Sequence, residues 1–249
     1  MSQVADWAWP ELFVHRCGGA LAPENTLAGL EIAARLGCRA VEFDVTLSRD
    51  CQPILCHDEN LERLTGQSTR VGVTSAEVLM RTDVGKRFHP AFAGERIPSL
   101  EQALMRCRAL GLAANVEIKP AKGFEVQTGE AVGECLAALP EERRPQVLLS
   151  SFSAKALESA ALKAEFAARA LLAERYNDAL LLAGQMFGCV SLNLAAVHLE
   201  QLQVRNIREA GMEVMAYTVN SPAEAERLVR WGVRAIFTDR PDLFMPYNR

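Results

Sequence analysis

No stretch of this 249-residue chain approaches the roughly 18 consecutive apolar residues that a membrane span requires. Met1–Trp9 carries Asp6, no basic residue and no apolar core of the kind a signal peptide needs. No block of like charge is present. The 27 Lys and Arg against 31 Asp and Glu leave a net charge of −4, too mild and too evenly spread to draw nucleic acid or an anionic membrane. Cys-x-x-Cys is also lacking: the seven cysteines, at 17, 38, 51, 56, 107, 135 and 189, are odd in number and scattered. That pattern excludes a disulfide framework and a zinc ribbon and fits free thiols in a reducing compartment. Cys17-Gly18-Gly19 is not Gly-x-Gly-x-x-Gly, so no dinucleotide cofactor is expected. There is no internal repeat, linker or low-complexity tract. These absences leave a cytoplasmic, soluble protein, read as one domain over residues 1–249, with no nucleic-acid partner and no stable membrane association.

What is present is an apolar content of 49% arranged in alternation. Short β-type runs are expected at Leu12–Arg16, Ala40–Thr46, Ala113–Ile118, Gln146–Ser151, Ala168–Ala173, Cys189–Leu194, Glu213–Thr218 and Arg234–Thr238. Segments with helical apolar spacing lie between them, among them Thr26–Leu36, Leu100–Leu110, Glu130–Leu139, Ser153–Leu162, Leu199–Ala210 and Pro222–Trp231. Asn25 or Thr26 can cap the first helix, and Gly111, Gly211 and Gly232 stand where a helix turns into a strand. About eight strands alternating with helices over this length predict a TIM (β/α)8 barrel, with an open doubly wound sheet as the alternative. One piece breaks the alternation. Gln52–His57 reads as a strand joined to its predecessor by the hairpin-like Arg49-Asp50-Cys51, and a polar stretch, approximately residues 59–96, follows. It is a small insertion after the second strand, with a short helix near Ser75–Arg81, and long loops in compact domains tend to be functional.

In such a barrel the carboxyl ends of the strands carry the site. The polar groups at those ends include His15 and Arg16, Glu42 with Asp44, Glu117 with Lys119, Ser150–Phe152, Tyr217 with Asn220, and Thr238-Asp239-Arg240. Residues i and i+2 of a strand share a face, so Glu42 and Asp44 can converge, and Glu117 with Lys119 likewise on the next strand. Taken singly, each has a bland reading: a Glu-x-Asp on an exposed edge, a cross-strand ion pair, a hydrogen-bonded structural histidine. Their coincidence at one end of the first three strands favours a site. Three converging carboxylates need a cation, and hard oxygen donors suit Mg²⁺, Ca²⁺ or Mn²⁺. His15 and His57 suit proton transfer near neutral pH, and Arg16 and Lys119 suit an anion. The residues together predict metal-assisted hydrolysis of a phosphate ester. His89 and His198 are read as structural or surface residues, and the cysteines as packing.

His15-Arg16, Pro23-Glu24-Asn25-Thr26, Glu42-x-Asp44, His57-Asp58, Val116-Glu117-Ile118-Lys119 and Thr238-Asp239-Arg240-Pro241 resemble, in order and spacing, the motif series of the glycerophosphodiester phosphodiesterases. Leu149–Phe152, Tyr217–Asn220 and Arg230–Val233 are similar to the cytosolic bacterial branch of that family. The resemblance implies a TIM barrel that cleaves a small-molecule glycerophosphodiester to an alcohol and sn-glycerol 3-phosphate. It implies one divalent cation held by Glu42, Asp44 and Glu117, most simply Mg²⁺, with Ca²⁺ or Mn²⁺ as alternatives. It implies an acid–base pair of His15 and His57, Arg16 and Lys119 near the phosphate, and Phe152 and Tyr217 as walls of the glycerol pocket. The insertion, with Phe88, would help to shape that pocket. A homo-oligomer is a permitted state. A lysophospholipase D-type lipid hydrolase and a catalytically silent glycerophosphate-binding barrel are the rival readings. One position departs: the family usually reads His-Arg-Gly, and position 17 here is Cys, where a Cβ meets whatever backbone angle or close approach the glycine serves.

Overall fold

The structure, a computed structural model, describes residues 9–244; the leader reading of residues 1–8 lies outside them. The strands are β1 (Leu12–Val14), β2 (Ala40–Leu47), β3 (Pro53–Leu55), β4 (Ala113–Ile118), β5 (Val147–Ser151), β6 (Ala168–Ala173), β7 (Ser191–Ala195), β8 (Glu213–Tyr217) and β9 (Ala235–Thr238). All but β3 run parallel, each to its neighbour, and β1 pairs with both β9 and β2, which closes the ring. The result is a closed eight-stranded parallel barrel with helices between its strands, the TIM barrel expected of the alternation. The helices are α1 (Leu27–Arg35), α2 (Glu62–Thr65), α3 (Ala76–Leu79), α4 (Leu100–Leu110), α5 (Glu125–Ala138), α6 (Ala154–Ala161), α7 (Asp178–Met186), α8 (Gln201–Glu209) and α9 (Pro222–Trp231). None among the described residues is long and apolar enough to cross a membrane.

The alternation along each strand sorts the core into layers. On β2, Val41, Phe43 and Val45 face outward and pack with Ala33, Leu104 and Leu136 in the ring between barrel and helices. Ala40 faces inward and joins Phe13, Ala113, Leu148, Ala170, Met215, Ala235 and Phe237 in an apolar plug that fills one end of the barrel, where Phe13 and Phe237 rings stand 5.3 Å apart. The inward positions one and two steps further along β2 and β4 are polar: Glu42 and Asp44, Asn115 and Glu117. Register brings them side by side, with Glu42 opposite Asn115 and Asp44 opposite Glu117. An apolar plug at one end and carboxylates at the other follow from two residues of pattern change on two adjacent strands.

The break after β2 forms as expected. β3 lies antiparallel on β2 with Val45 opposite Leu55, and Asp50 ties the turn by accepting hydrogen bonds from Ser48 Oγ and the Ala76 amide, each at 2.8 Å. The following stretch packs a small core of its own from Ile54, Cys56, Leu61, Val71, Leu79, Val84 and Ile97. Most boundaries fall within two residues of the sequence reading. β1 stops at Val14 rather than Arg16, because Arg16 and Cys17 take left-handed backbone angles (φ 49° and 72°) that leave the ladder. Helix α5 begins at Glu125, five residues ahead of the expected Glu130, and α7 fills a segment outside those given above, capped by Asn177.

The loop after β1 is pressed onto α1. Thr26 caps that helix by accepting from the Gly29 amide, and a Cβ built on Gly29 would stand 2.8 Å from the Cβ of Cys17 and 2.9 Å from the Gly18 nitrogen. Replacing a helical glycine with alanine ordinarily stabilises by about 0.5–1 kcal/mol. Here overpacking against backbone costs about 1–3 kcal/mol, so Gly29→Ala is expected to destabilise, read as a lower urea midpoint with unchanged slope.

Candidate active site

His15 follows the last residue of β1, and its amide still bonds the Thr238 carbonyl of β9 at 2.9 Å. Its Nδ1 lies 2.7 Å from Asp239 Oδ1, where it donates a proton to the carboxylate, and its Nε2 is turned the other way, toward Glu42 Oε2 at 3.8 Å. Asp239 is held in turn by Asn220, whose amide nitrogen donates to Oδ2 at 3.0 Å and whose carbonyl oxygen accepts from the Asp239 amide at 2.8 Å. Burial works against the Asp239 carboxylate, but the bonds from His15 and Asn220 outweigh it and hold it below its ordinary range.

His57, on the loop after β3, has a matching partner next to it in sequence. Its Nδ1 lies 2.6 Å from Asp58 Oδ1, while Asp58 Oδ2 accepts from Arg63 Nε at 2.8 Å. Burial pushes Asp58 up, yet the Arg63 and His57 bonds leave it low. Each imidazole therefore has one nitrogen fixed by a carboxylate and one free to face the cleft.

The buried carboxylates line the same cleft. Glu42, Asp44 and Glu117 each offer an oxygen within 4.8 Å of the others. Asp44 is tied by Asn25, which donates to Oδ2 at 2.9 Å and accepts from the Asp44 amide at 3.1 Å. Glu42 Oε2 accepts the Arg16 amide at 2.8 Å; Glu42 Oε1 and Glu117 Oε1 are buried with no hydrogen-bond partner. Lys119 Nζ stands 3.6 Å from Asp44 and 3.7 Å from Glu117, too far to neutralise three charges by direct hydrogen bonds. The cost shows in the acidities. Burial, then repulsion from Asp44 and Glu117, pushes Glu42 well up; burial and Asp44 push Glu117 up to about 7 despite Lys119 and Arg16. Buried, incompletely paired oxygen donors from three carboxylates fit a hard divalent cation.

The nine residues singled out from the sequence surround one cleft of about 280 Å³ at the carboxyl end of the barrel: His15, Arg16, Glu42, Asp44, His57, Glu117, Lys119, Phe152 and Tyr217. Arg16 lays its guanidinium between Glu24, at 3.1 Å, and Asp44, at 3.8 Å. Phe152 is half exposed at the rim and meets Tyr217 edge-on with ring centres 6.2 Å apart; the Tyr217 hydroxyl donates to the Ala173 carbonyl at 3.0 Å. Phe88 does not line the cleft. It stands half exposed against Phe92, and His89 accepts the Ala91 amide as a local cap. Cys17 is wholly buried, and burial, then Cys107, Glu42 and Asp44, raise its thiol well above the usual range, which makes it a packing residue and no nucleophile.

Sequence reasoning gave no role in the site to Asp239, Asp58 or Glu24 and read Asn25 only as a candidate helix cap, although all four lie in the motifs it quoted; the cap is Thr26, and Asn25 holds Asp44 instead. It passed over Asn115 altogether. Asn115 faces the cleft two residues before Glu117, bonded to Ser150 Oγ at 2.8 Å with its own Oδ1 unpartnered. The period of two that paired Glu117 with Lys119 points to Asn115 as well.

A family model of the glycerophosphoryl diester phosphodiesterase family matches residues 15–243. YhdW of Bacillus subtilis strain 168 is 30% identical over 240 residues, 94% of this chain and 96% of its own length. The glycerophosphodiester phosphodiesterase of Caldanaerobacter subterraneus subsp. tengcongensis is 29% identical over 240 residues, 93% of this chain and 94% of its own. Among solved structures, a phosphodiesterase of Oleispira antarctica in complex with the product sn-glycerol-3-phosphate matches with a TM-score of 0.90 and 32% identity, over 96% of each chain.

The raised glutamates give the site a signature in stability. Folded Glu117 binds its proton more tightly than the unfolded chain does, so its contribution is present at low pH and is lost as pH rises from the ordinary carboxylate range through about 7. In EDTA, Glu117→Gln is expected to gain thermal stability relative to wild type as pH goes from about 5 to 8. Excess Mg²⁺ or Ca²⁺ is expected to stabilise wild type and to act far less on the variant. Melting curves with and without cation across that range measure both.

Proposed function

The chain belongs to the glycerophosphoryl diester phosphodiesterase family, and we propose that it cleaves its substrate with His15 and His57 as acid–base pair around a cation held by Glu42, Asp44 and Glu117. As a member it is a phosphodiesterase that hydrolyses glycerophosphodiesters, and the products of this reading are an alcohol and sn-glycerol 3-phosphate. The observation that carries the mechanism is the pairing: two imidazoles, each anchored at Nδ1 by its own carboxylate, line one cleft with a buried cluster of three acids.

When bound there, Mg²⁺, or the similarly hard Ca²⁺ or Mn²⁺, offsets negative charge on the non-bridging phosphate oxygens. Arg16 and Lys119 add fixed positive charge on the same side and orient the phosphate. His15, neutral with its proton on Nδ1, takes the proton of the attacking oxygen at Nε2, and Asp239 stabilises the imidazolium that forms. His57, protonated on both nitrogens, gives its Nε2 proton to the departing alkoxide as the P–O bond breaks. The anchoring carboxylates differ in their own partners: Asp239 is held by the neutral amide of Asn220, and Asp58 is shared with the Arg63 guanidinium. If the attacking oxygen is the neighbouring glycerol hydroxyl instead of water, a cyclic phosphate forms, and water opens it as the two imidazoles exchange roles. Phe152 and Tyr217 wall the glycerol side of the cleft.

Release of glycerol 3-phosphate from glycerophosphocholine or glycerophosphoethanolamine, followed by a coupled assay, is expected to require added Mg²⁺, Ca²⁺ or Mn²⁺ after EDTA treatment. His15→Ala and His57→Ala are each expected to lower kcat by about 10²–10⁴-fold with the melting temperature kept. Near-normal turnover by His57→Ala would show that another group is the acid.

A further inference from the structure

Arg63 does not line the cleft. It sits on α2, at the start of the insertion, with its side chain half exposed beside an outer depression formed with His57, Asp58, Asn60, Glu62 and Arg87. All three of its guanidinium nitrogens are nonetheless engaged by groups that touch the site. Nε donates to Asp58 Oδ2 at 2.8 Å, and the two terminal nitrogens grip both oxygens of Glu24, at 2.5 and 2.7 Å. Glu24 Oε1 also accepts from Arg16 at 3.1 Å, and Asp58 Oδ1 holds His57 at 2.6 Å. One unbroken chain of charge-assisted bonds thus runs from His57 through Asp58, Arg63 and Glu24 to Arg16.

The two carboxylates belong to different loops, Glu24 to the loop before α1 and Asp58 to the loop after β3, and Arg63 joins them. A planar fork that fits a carboxylate on both oxygens fixes direction as well as distance, which a lysine does not. Exposed ion pairs add little to folding, so a link of this kind acts through placement more than stability. Its effect on Arg16 is specific. With both Glu24 oxygens occupied by Arg63, Arg16 keeps only one bond to Glu24, and the rest of its guanidinium stays toward Asp44 and the cleft. Without Arg63, Glu24 is free to take Arg16 with both oxygens and draw it outward, and Asp58 is free to turn from His57.

We propose that Arg63 is a positioning residue of the phosphodiester reaction, bridging Asp58 and Glu24 so that the imidazole of His57 and the guanidinium of Arg16 are held in one frame across the cleft. The proposal rests on the roles given above to His57 and Arg16. Arg63→Ala is expected to lower kcat about 10–100-fold, the scale set by a misplaced catalytic group, with the melting temperature held within a few degrees. Guanidinium ion at low concentration is expected to restore part of that loss, because the vacated site opens to solvent, and urea at equal concentration is not. Arg63→Lys is expected to fall between wild type and Arg63→Ala. In an Asp58→Asn background the effect of Arg63→Ala is expected to shrink, since the two act along one path.

Arg63→Ala with near-normal kcat, alongside an inactive His57→Ala, overturns this proposal alone. A loss of activity that follows the melting temperature, is untouched by guanidinium and adds in full to that of Asp58→Asn also overturns it, leaving Arg63 a structural residue. Near-normal turnover by His57→Ala overturns the reading beneath it as well.

Discussion

Three carboxylates buried within 4.8 Å of one another are the constraint that the rest of the site answers. Left alone they repel, and the raised acidities of Glu42 and Glu117 record it. The chain relieves them only in part. Arg16 contributes its amide to Glu42, Asn25 takes one side of Asp44, and Lys119 stands off at 3.6–3.7 Å. A site relaxed by its own cations would have no remaining attraction for an added one. The incomplete neutralisation is what fits these residues to a hard divalent ion.

The barrel makes such an arrangement affordable. Its interior is filled by Phe13, Leu148, Met215 and Phe237 at one end, and the carboxylates of the site occupy inward positions further along β2 and β4. The outward faces of the same strands stay apolar and pack against the helices. Stability and chemistry thus reside in different residues of the same strands, Val41, Phe43 and Val45 for packing, Glu42 and Asp44 for the site. The left-handed turn at Arg16 and Cys17 brings the first loop back across Glu42, and the close seat on Gly29 lets a cysteine occupy a place the resemblance gives to glycine.

Much of this is legible in the sequence. The period of two on β2 and β4 placed Glu42, Asp44, Glu117 and Lys119 on one face, and the strand–helix alternation placed that face at the carboxyl end of a barrel. What could not be read was which polar neighbour each of these groups would choose. Asp239 is 224 residues from His15, and no local pattern marks it as a partner. Glu24 and Arg63, 39 residues apart, lie in a motif and a polar loop whose meeting depends on how the insertion folds over the first loop. Even Asp58, next to His57, shows its role only through the turn that faces its carboxylate to Nδ1. Strand pattern reports the face of a side chain. Hydrogen-bond partners in loops are set by tertiary placement.

The two histidine pairs differ in how far apart their members lie along the chain. His57 and Asp58 are adjacent, whereas His15 needs Asp239, beyond the strand that closes the ring on β1. A chain lacking β9 has no Asp239 for His15, so the anchoring of that imidazole is tied to the closure of the ring.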